Sequence, residues 1–330
     1  MGVKITKIDF YLPERVLTNA ELSSQFPDWS PEKIEEKIGV RERRIVAEEQ
    51  TAFDLAIEAC EKVLLNEDKD SIDFLILCTQ SPDYYLPSTS CILQDRIGLR
   101  KNIGAFDFNL GCSGYIYGLG IAKGLVSAGI ASKILFVTSE TYSKFLNFED
   151  KGNRTIFGDA ATATIIEYTD KDQIFEFDLG TDGGGYDNLI VPNGGLRNRY
   201  NPNVLPINKD QPFTGNDLYM NGPEIFNFTL QRIPNLVRDV LIKNKITMDD
   251  IDYCVFHQAN KYILNYLKKK LKIPDHKFYC DLLLTGNTVS STIPLGLYNI
   301  IKSGVVTRGD KVLLVGFGVG LSWGATIIEI

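Results

Sequence analysis

Histidine is scarce in this sequence: His257 and His276 are the only two in 330 residues. Chemistry that needs an imidazole has little to choose from. No Cys-x-x-Cys pair occurs among the six cysteines at 60, 78, 91, 112, 254 and 280, and their spacing makes no dense framework. That disfavours a structural zinc site and a disulfide scaffold, and makes free thiols in a reducing compartment the expectation. A basic surplus is also missing, since 35 Lys and Arg face 42 Asp and Glu for a net charge of −7. A general nucleic-acid surface is therefore not expected. No apolar run approaches the roughly 20 residues that cross a bilayer, and the opening MGVKITKIDF lacks the apolar core of a secretory leader. The expectation is a cytoplasmic protein with neither membrane nor nucleic acid as partner. What is present is apolar material, 44% of residues against 23% charged. That is too apolar for disorder and enough for a large core over about two domain lengths.

The chain carries signs of an internal repeat. The acidic turn and apolar run Asp70 to Leu77 has a counterpart in Asp250 to Phe256, each preceded by a helical stretch, Phe53 to Leu65 and Leu230 to Ile242. Cys112 opens an apolar helix that leads into the strand starting at Lys133, and Asn287 opens an apolar stretch that leads into the strand starting at Lys311. The pairs Ile72 and Ile251, Cys112 and Asn287, and Lys133 and Lys311 are spaced by 179, 175 and 178 residues. This predicts two tandem α/β halves, 1–170 carrying the cysteine and 171–330 carrying the histidine and the asparagine. The stretch 181–221 is different, rich in Gly, Asn, Pro and Asp. It reads as a long loop, used either as a lid or wall over a site or as a surface excursion.

Cys112 gives the strongest local chemical signal. It sits in Gly111-Cys112-Ser113-Gly114 between a strand-like run and an apolar helix. A thiol at a helix N-terminus meets the positive end of the dipole and free N–H groups, which predicts a lowered pKa. The other reading is a buried structural cysteine, which suits Cys60, Cys78 and Cys254. His257 ends the strand of the second half, where α/β sheets face their ligands, whereas His276 lies in a charged turn. His257 is therefore the better imidazole, with a hydrogen-bonded core histidine as the alternative. Asn287 either caps a helix or, if the halves are related by a pseudo-twofold, points with Cys112 at the middle of the molecule. Gly316 to Gly320 precedes another strand-like run and not a helix, so it fails as a dinucleotide fingerprint. It is either a plain hairpin or a turn presenting an N–H to an oxyanion.

Taken in order, NLGCSGYIYGL, FHQAN, TGNT and GFGVGLSWG resemble the active-site segments of the thiolase-fold condensing enzymes, specifically the β-ketoacyl-acyl carrier protein synthase III family. YLPERVLTNAEL, GVRERRI and FGDAATA are similar to that family too, so the likeness covers essentially the whole chain. The resemblance implies a homodimer of duplicated α/β halves in a five-layered αβαβα sandwich. It implies that Cys112 takes an acyl group from a thioester, and that His257 and Asn287 hydrogen-bond the thioester oxygen of malonyl-carrier protein as carbon dioxide leaves. The backbone N–H groups of Cys112 and Val319 would hold the oxyanion, and Phe157 and Phe317 would line the acyl channel. Leu86 falls where the family places a residue that reaches into the partner's pocket. No resident cofactor or metal is implied; the substrates are acyl-coenzyme A or acyl-carrier protein and malonyl-carrier protein.

The chain departs from the family pattern where typical members carry a Trp and an Arg that sandwich the adenine of coenzyme A. Lys33 and Lys37 stand there, which predicts that the stacking surface is absent and favours a carrier-protein donor. Tyr262 replaces an Arg after HQAN, but Lys261, Lys268, Lys269, Lys270 and Lys272 make the following helix basic inside an acidic protein. That helix is a candidate docking surface for acidic acyl carrier protein, with Lys151 as a further contact; a solvated charged face is the alternative. The leading function is decarboxylative Claisen condensation in fatty acid or related acyl-chain synthesis. Two alternatives use the same cysteine: transfer of the acyl group to an oxygen or nitrogen acceptor, and Cys-His-Asn thioester hydrolysis.

Overall fold

The computed structural model describes residues 2–204 and 213–330. Two sheets carry the chain, and they repeat one topology. In the first, the strand order is Gly2–Tyr11, Ala160–Thr169, Lys133–Glu140, Phe74–Cys78, Gly104–Phe108. The first two pairings are antiparallel and the last two are parallel. In the second, Asp178–Thr181, Ser322–Glu329, Lys311–Gly318 and Tyr253–Phe256 follow in the same sense, two antiparallel pairings and then a parallel one. A single parallel bridge from Cys254 to Phe278 stands where the first sheet has its fifth strand. Between Thr169 and Asp178 the chain passes from one sheet to the other.

The central strands FLILC and KILFVTSE are buried on both faces, which is why they read as continuous apolar runs and not as alternation. Helix Gly114–Ser127 packs between the two sheets and is correspondingly apolar all round, burying Ile116, Leu119, Ala122 and Val126. Helix Thr292–Lys302 lies in the same middle layer. Outside the first sheet, helix Ala52–Val63 buries one stripe of Leu55, Ala56, Ala59, Cys60 and Val63. Outside the second, helix Gly222–Asn244 buries Ile233, Leu236, Val237 and Val240. The layers thus alternate helix, sheet, helix, sheet, helix.

Two elements differ from the sequence expectation. The helix expected from Leu230 starts at Gly222, because Asn221 caps it and Pro223 occupies its first turn. The apolar stretch after Asn287 is not one helix: a short 3₁₀ turn, Val289–Ser291, precedes Thr292–Lys302. Its cause is Val289, a β-branched residue held at φ +56°, a conformation that costs of order 1–3 kcal/mol and persists only where the surroundings impose it. Among the described residues, no helix is long and apolar enough to cross a membrane.

Candidate active site

Both middle-layer helices begin at the same place, and the candidate residues gather there. Cys112 lies just before helix Gly114–Ser127 and is 5% exposed. The backbone N–H groups of Cys112 itself and of Val319 act on its thiol to favour the thiolate. The strand Lys311–Gly318 can pass this close because its residues there are glycines: a Cβ on Gly318 would lie 2.8 Å from Cys112 Cβ and 2.9 Å from Sγ, and one on Gly316 2.9 Å from the Cys112 carbonyl oxygen. Ser113 and Ser322, 2.7 Å apart through their hydroxyls, fasten the same seam in the core. Burial pushes the Cys112 thiol up to about 12, with the Glu140 carboxylate adding to the effect against the two N–H groups that lower it. The lowered pKa expected from the helix N-terminus is therefore corrected: desolvation outweighs the dipole.

Val289 is the common neighbour of the other two residues. Its N–H donates to Asn287 Oδ1 at 2.9 Å, and its side chain packs with Cys112 and Phe157. Asn287 is locked from the first half of the chain, donating its N–H to the Ile156 carbonyl at 2.9 Å and accepting from Gly158 N–H at 3.0 Å. It caps no regular helix. His257 is buried, with Nδ1 2.8 Å from Thr292 Oγ1 and its ring edge-on to Phe317 at 5.6 Å. Burial pushes its pKa down to about 3, against hydrogen bonding to the Val289 backbone, so the imidazole is neutral at physiological pH. The Thr292 hydroxyl also lies 3.0 Å from the Val289 carbonyl. That hydroxyl proton is directed at the Val289 carbonyl, and turning it to Nδ1 instead gives the tautomer in which Nε2 is the donor.

Sequence reading missed a buried carboxylate behind the cysteine. Glu140 accepts from Gln80 N–H at 3.0 Å, Ser81 Oγ at 3.3 Å and Ser290 Oγ at 2.9 Å, so it ties the turn after strand Phe74–Cys78 to the turn that carries Asn287. Desolvation lifts it to about 8. A cavity of about 980 Å³ opens beside this turn, walled by Gln80, Asn109, Tyr142, Leu189, Leu218 and Val319 among others. Leu86 is at its mouth and 83% exposed. Phe157 and Phe317 do not line it: Phe157 packs beside Cys112 and Tyr142, and Phe317 faces His257. The stretch 181–221 supplies a wall through Tyr186, Leu189 to Val191, Asn193 to Gly195 and Leu218; residues 205–212 of it lie outside the described residues.

The basic residues divide. Lys33, Lys37, Lys151, Lys261 and Lys269 are exposed, and helix Pro31–Ile38 packs against helix Lys261–Lys270, which makes their surface continuous. Lys268 is not free, being paired with Asp275 at 2.7 Å, and Tyr262 packs its ring 5.2 Å from that of Phe226. An aromatic ring does stand next to these lysines. The Trp29 indole stands beside Lys33 and Lys151, their Nζ atoms 5.7 and 6.0 Å from its centre. Its signal was present, since one of only two tryptophans in the chain sits four residues before Lys33.

Comparison with known proteins agrees with this arrangement. Residues 106–183 match the family described as 3-oxoacyl-[acyl-carrier-protein] synthase III, and residues 241–330 match its C-terminal part. A β-ketoacyl-[acyl-carrier-protein] synthase III of Clostridium perfringens is 37% identical, with 100% of this chain and 99% of that protein aligned. A 3-oxoacyl-(acyl-carrier-protein) synthase III crystal structure superposes with a TM-score of 0.97 at 44% identity, covering 100% of both chains. One from Burkholderia xenovorans gives 0.94 at 34%, covering 100% of this chain and 94% of the other. The duplicated five-layer architecture is thus thiolase-like, and the chain belongs to the 3-oxoacyl-[acyl-carrier-protein] synthase III family.

Proposed function

We propose that this enzyme catalyses decarboxylative condensation of an acyl thioester with malonyl-acyl carrier protein, in fatty acid biosynthesis, through an acyl group on Cys112. The observation that carries this reading is the meeting of Cys112, His257 and Asn287 around Val289, with one cysteine from residues 1–170 and both hydrogen-bonding partners from 171–330. In the first step Cys112 Sγ attacks the thioester carbonyl; the new S–C bond forms as the donor's S–C bond breaks, and the thiol proton leaves with the donor thiol. The N–H groups of Cys112 and Val319, which favour the thiolate in the resting enzyme, stabilise the oxyanion. In the second step the carboxylate of the malonyl group departs as carbon dioxide. The electron pair it leaves becomes an enolate whose oxygen is held by His257 Nε2–H and the Asn287 amide. A neutral imidazole suits this task, because it donates a hydrogen bond without handing over a proton that would quench the carbanion. The carbanion then attacks the acyl-Cys112 carbonyl and releases the β-ketoacyl product and the Cys112 thiolate, which takes up one proton from water to restore the thiol.

Retention of both His257 and Asn287 favours condensation over acyl transfer to an oxygen or nitrogen, which needs a base more than two enolate donors, and over hydrolysis. The chain's own residues supply all these groups, so no resident cofactor or metal enters the scheme. The exposed Lys37, Lys261 and Lys269 give acidic carrier protein a docking face, and Trp29 with Lys33 and Lys151 gives a coenzyme A donor a stacking face and two cations. Leu86, 83% exposed, is the contact we assign to a homodimer, and the six free cysteines suit the cytoplasm. The reading is tested by intact-mass analysis with acyl-coenzyme A and acyl-carrier donors. It expects one acyl adduct, absent in Cys112→Ala, which malonyl-carrier protein converts to a β-ketoacyl product; an adduct that survives Cys112→Ala refutes it.

A further inference from the structure

Arg43 is fully buried, and the chemistry above leaves it without a task. It lies in the GVRERRI segment, on the short strand Glu42–Arg44. Its guanidinium donates through one terminal nitrogen to the Leu17 carbonyl at 3.2 Å and Asn19 Oδ1 at 2.8 Å, and through the other to the Thr155 carbonyl at 2.7 Å. None of these acceptors carries a charge, and Nε has no partner among the described residues. Burial, and then the like charge of Arg154, pulls its pKa down to about 10, which leaves it a cation at physiological pH. A cation held in the core on neutral acceptors costs stability. An apolar side chain would fill the space without that cost, but it could not tie oxygens of residues 17 and 19 to that of residue 155 in one rigid fork.

The segment that the fork holds is the one that carries Asn287. Thr155 directly precedes Ile156, whose carbonyl accepts the Asn287 N–H at 2.9 Å, and Gly158, whose N–H donates to the Asn287 carbonyl at 3.0 Å. The Arg43 stem fills the joint between these two strips. A Cβ on Gly158 would lie 3.3 Å from Arg43 Cβ, and one on Gly286, the residue before Asn287, 3.4 Å from it. The backbone beside Arg43 spans the same joint. Arg41 and Glu42 N–H donate to the Leu283 carbonyl at 2.8 and 3.1 Å, and the Arg44 carbonyl accepts from Asp159 N–H at 2.8 Å. On the far side Asn19 is itself fixed, its Nδ2 donating to the Val40 carbonyl at 2.8 Å and the Pro31 carbonyl at 3.2 Å, which turns Oδ1 to Arg43. Cys112 is confined by other segments, the start of its own helix and the strand at Gly318. Phe157, which packs beside it, links the two joints.

We propose that Arg43 is a positioning residue for Asn287, fixing residues 155–158 beside it so that the amide stays where it meets the enolate oxygen. This rests on the reading that Asn287 is an enolate donor. Arg43 meets no substrate in it and acts only through the backbone that carries Asn287.

The test compares two single-turnover rates, acyl loading of Cys112 and carbon dioxide release from malonyl-carrier protein on preacylated enzyme, for the full chain and for Arg43→Met and Asn19→Ala. Arg43→Met keeps an unbranched stem between Gly158 and Gly286 and removes the donors. It slows release about 10–100-fold, the cost of letting an aligned group drift, and loading at most about threefold. Asn19→Ala takes one acceptor from the guanidinium and shifts the release-to-loading ratio the same way by less. Both rates come from one preparation, so an unfolded fraction lowers the amplitudes and leaves the ratio of rates unchanged. Equal slowing of the two steps in Arg43→Met overturns the proposal, as does an unchanged ratio in Arg43→Met or, should that variant not fold, in Asn19→Ala. Release at the wild-type rate in Asn287→Ala overturns instead the enolate reading on which the proposal rests.

Discussion

Replacing Gly318 by alanine puts the packing around Cys112 to a direct test. The backbone there is extended strand, so the substitution strains no dihedral; its whole effect is the methyl group. That methyl would lie 2.8 Å from Cys112 Cβ and 2.9 Å from Sγ, well inside ordinary carbon contact of about 3.5–4 Å. Cys112 or the strand must retreat by roughly half an ångström or more, and both are packed in the core. Overpacking of this kind costs about 1–3 kcal/mol. The chemical cost is larger, because the retreat shifts Sγ relative to the Val319 N–H assigned to the oxyanion. Loss of one aligned oxyanion donor slows such reactions about 10²–10³-fold. Gly124→Ala is the control: it lies in the same helix as the start of the site and its Cβ would meet nothing within 4 Å, so it should gain about 0.5–1 kcal/mol and load at the normal rate. Thermal unfolding and the rate of acyl adduct formation report the two costs separately. Acyl loading of Gly318→Ala within twofold of the wild type would refute the confinement of Cys112 described above.

Three further outcomes follow from the same geometry. Alkylation of Cys112 by iodoacetamide, followed on its peptide to separate it from the exposed Cys91 and Cys280, should accelerate about tenfold per pH unit from about 6 to 9, since the thiol titrates at about 12; a plateau below about pH 8 would contradict this. Thr292→Val removes the partner of His257 Nδ1 and should slow carbon dioxide release about 10–100-fold, with a much smaller effect on acyl loading; equal losses in both steps would show a general collapse instead. Glu140 titrates at about 8 in the fold against its ordinary value of 4.5, so the folded state favours its protonated form. Its contribution to stability is present below about 4.5 and lost as pH rises through about 8. Denaturant unfolding should therefore show a stability decline from pH 5 to 8 that is shallower in Glu140→Gln, and an unchanged slope would remove Glu140 from the explanation.

Much of the architecture was legible because burial on both faces leaves a plain mark. The runs FLILC and KILFVTSE admit little besides central strands, and their counterparts at 253–256 and 311–318 repeat the signal at nearly constant spacing. The turn around Cys112 was legible for the same reason, being the glycine-flanked joint between two such elements. What stayed hidden depends on contacts between distant segments. The pKa of Cys112 is set first by burial, to which the close strand at Gly318 belongs, and then by Glu140, neither of which a local dipole argument can see. The turn at Val289 looks like unbroken helix in sequence, and its positive φ goes with bonds to Asn287 and Thr292 that a local reading does not show. Lys268 reads as one of a row of free cations, yet a residue seven positions on neutralises it. Trp29 was passed over because its indole reaches the Lys33 position from one helical turn earlier in the chain, across a loop.

The central claim is that His257 and Asn287 stabilise an enolate while Cys112 alone carries the acyl group, and single-turnover release of labelled carbon dioxide from malonyl-carrier protein on preacylated enzyme measures it most directly. His257→Ala and Asn287→Ala should each still form the acyl adduct on Cys112 but release carbon dioxide at least about 10²-fold more slowly, the cost of removing one donor to a developing oxyanion. Release at the wild-type rate in His257→Ala, or free acid in place of the β-ketoacyl product in the wild type, would contradict the account.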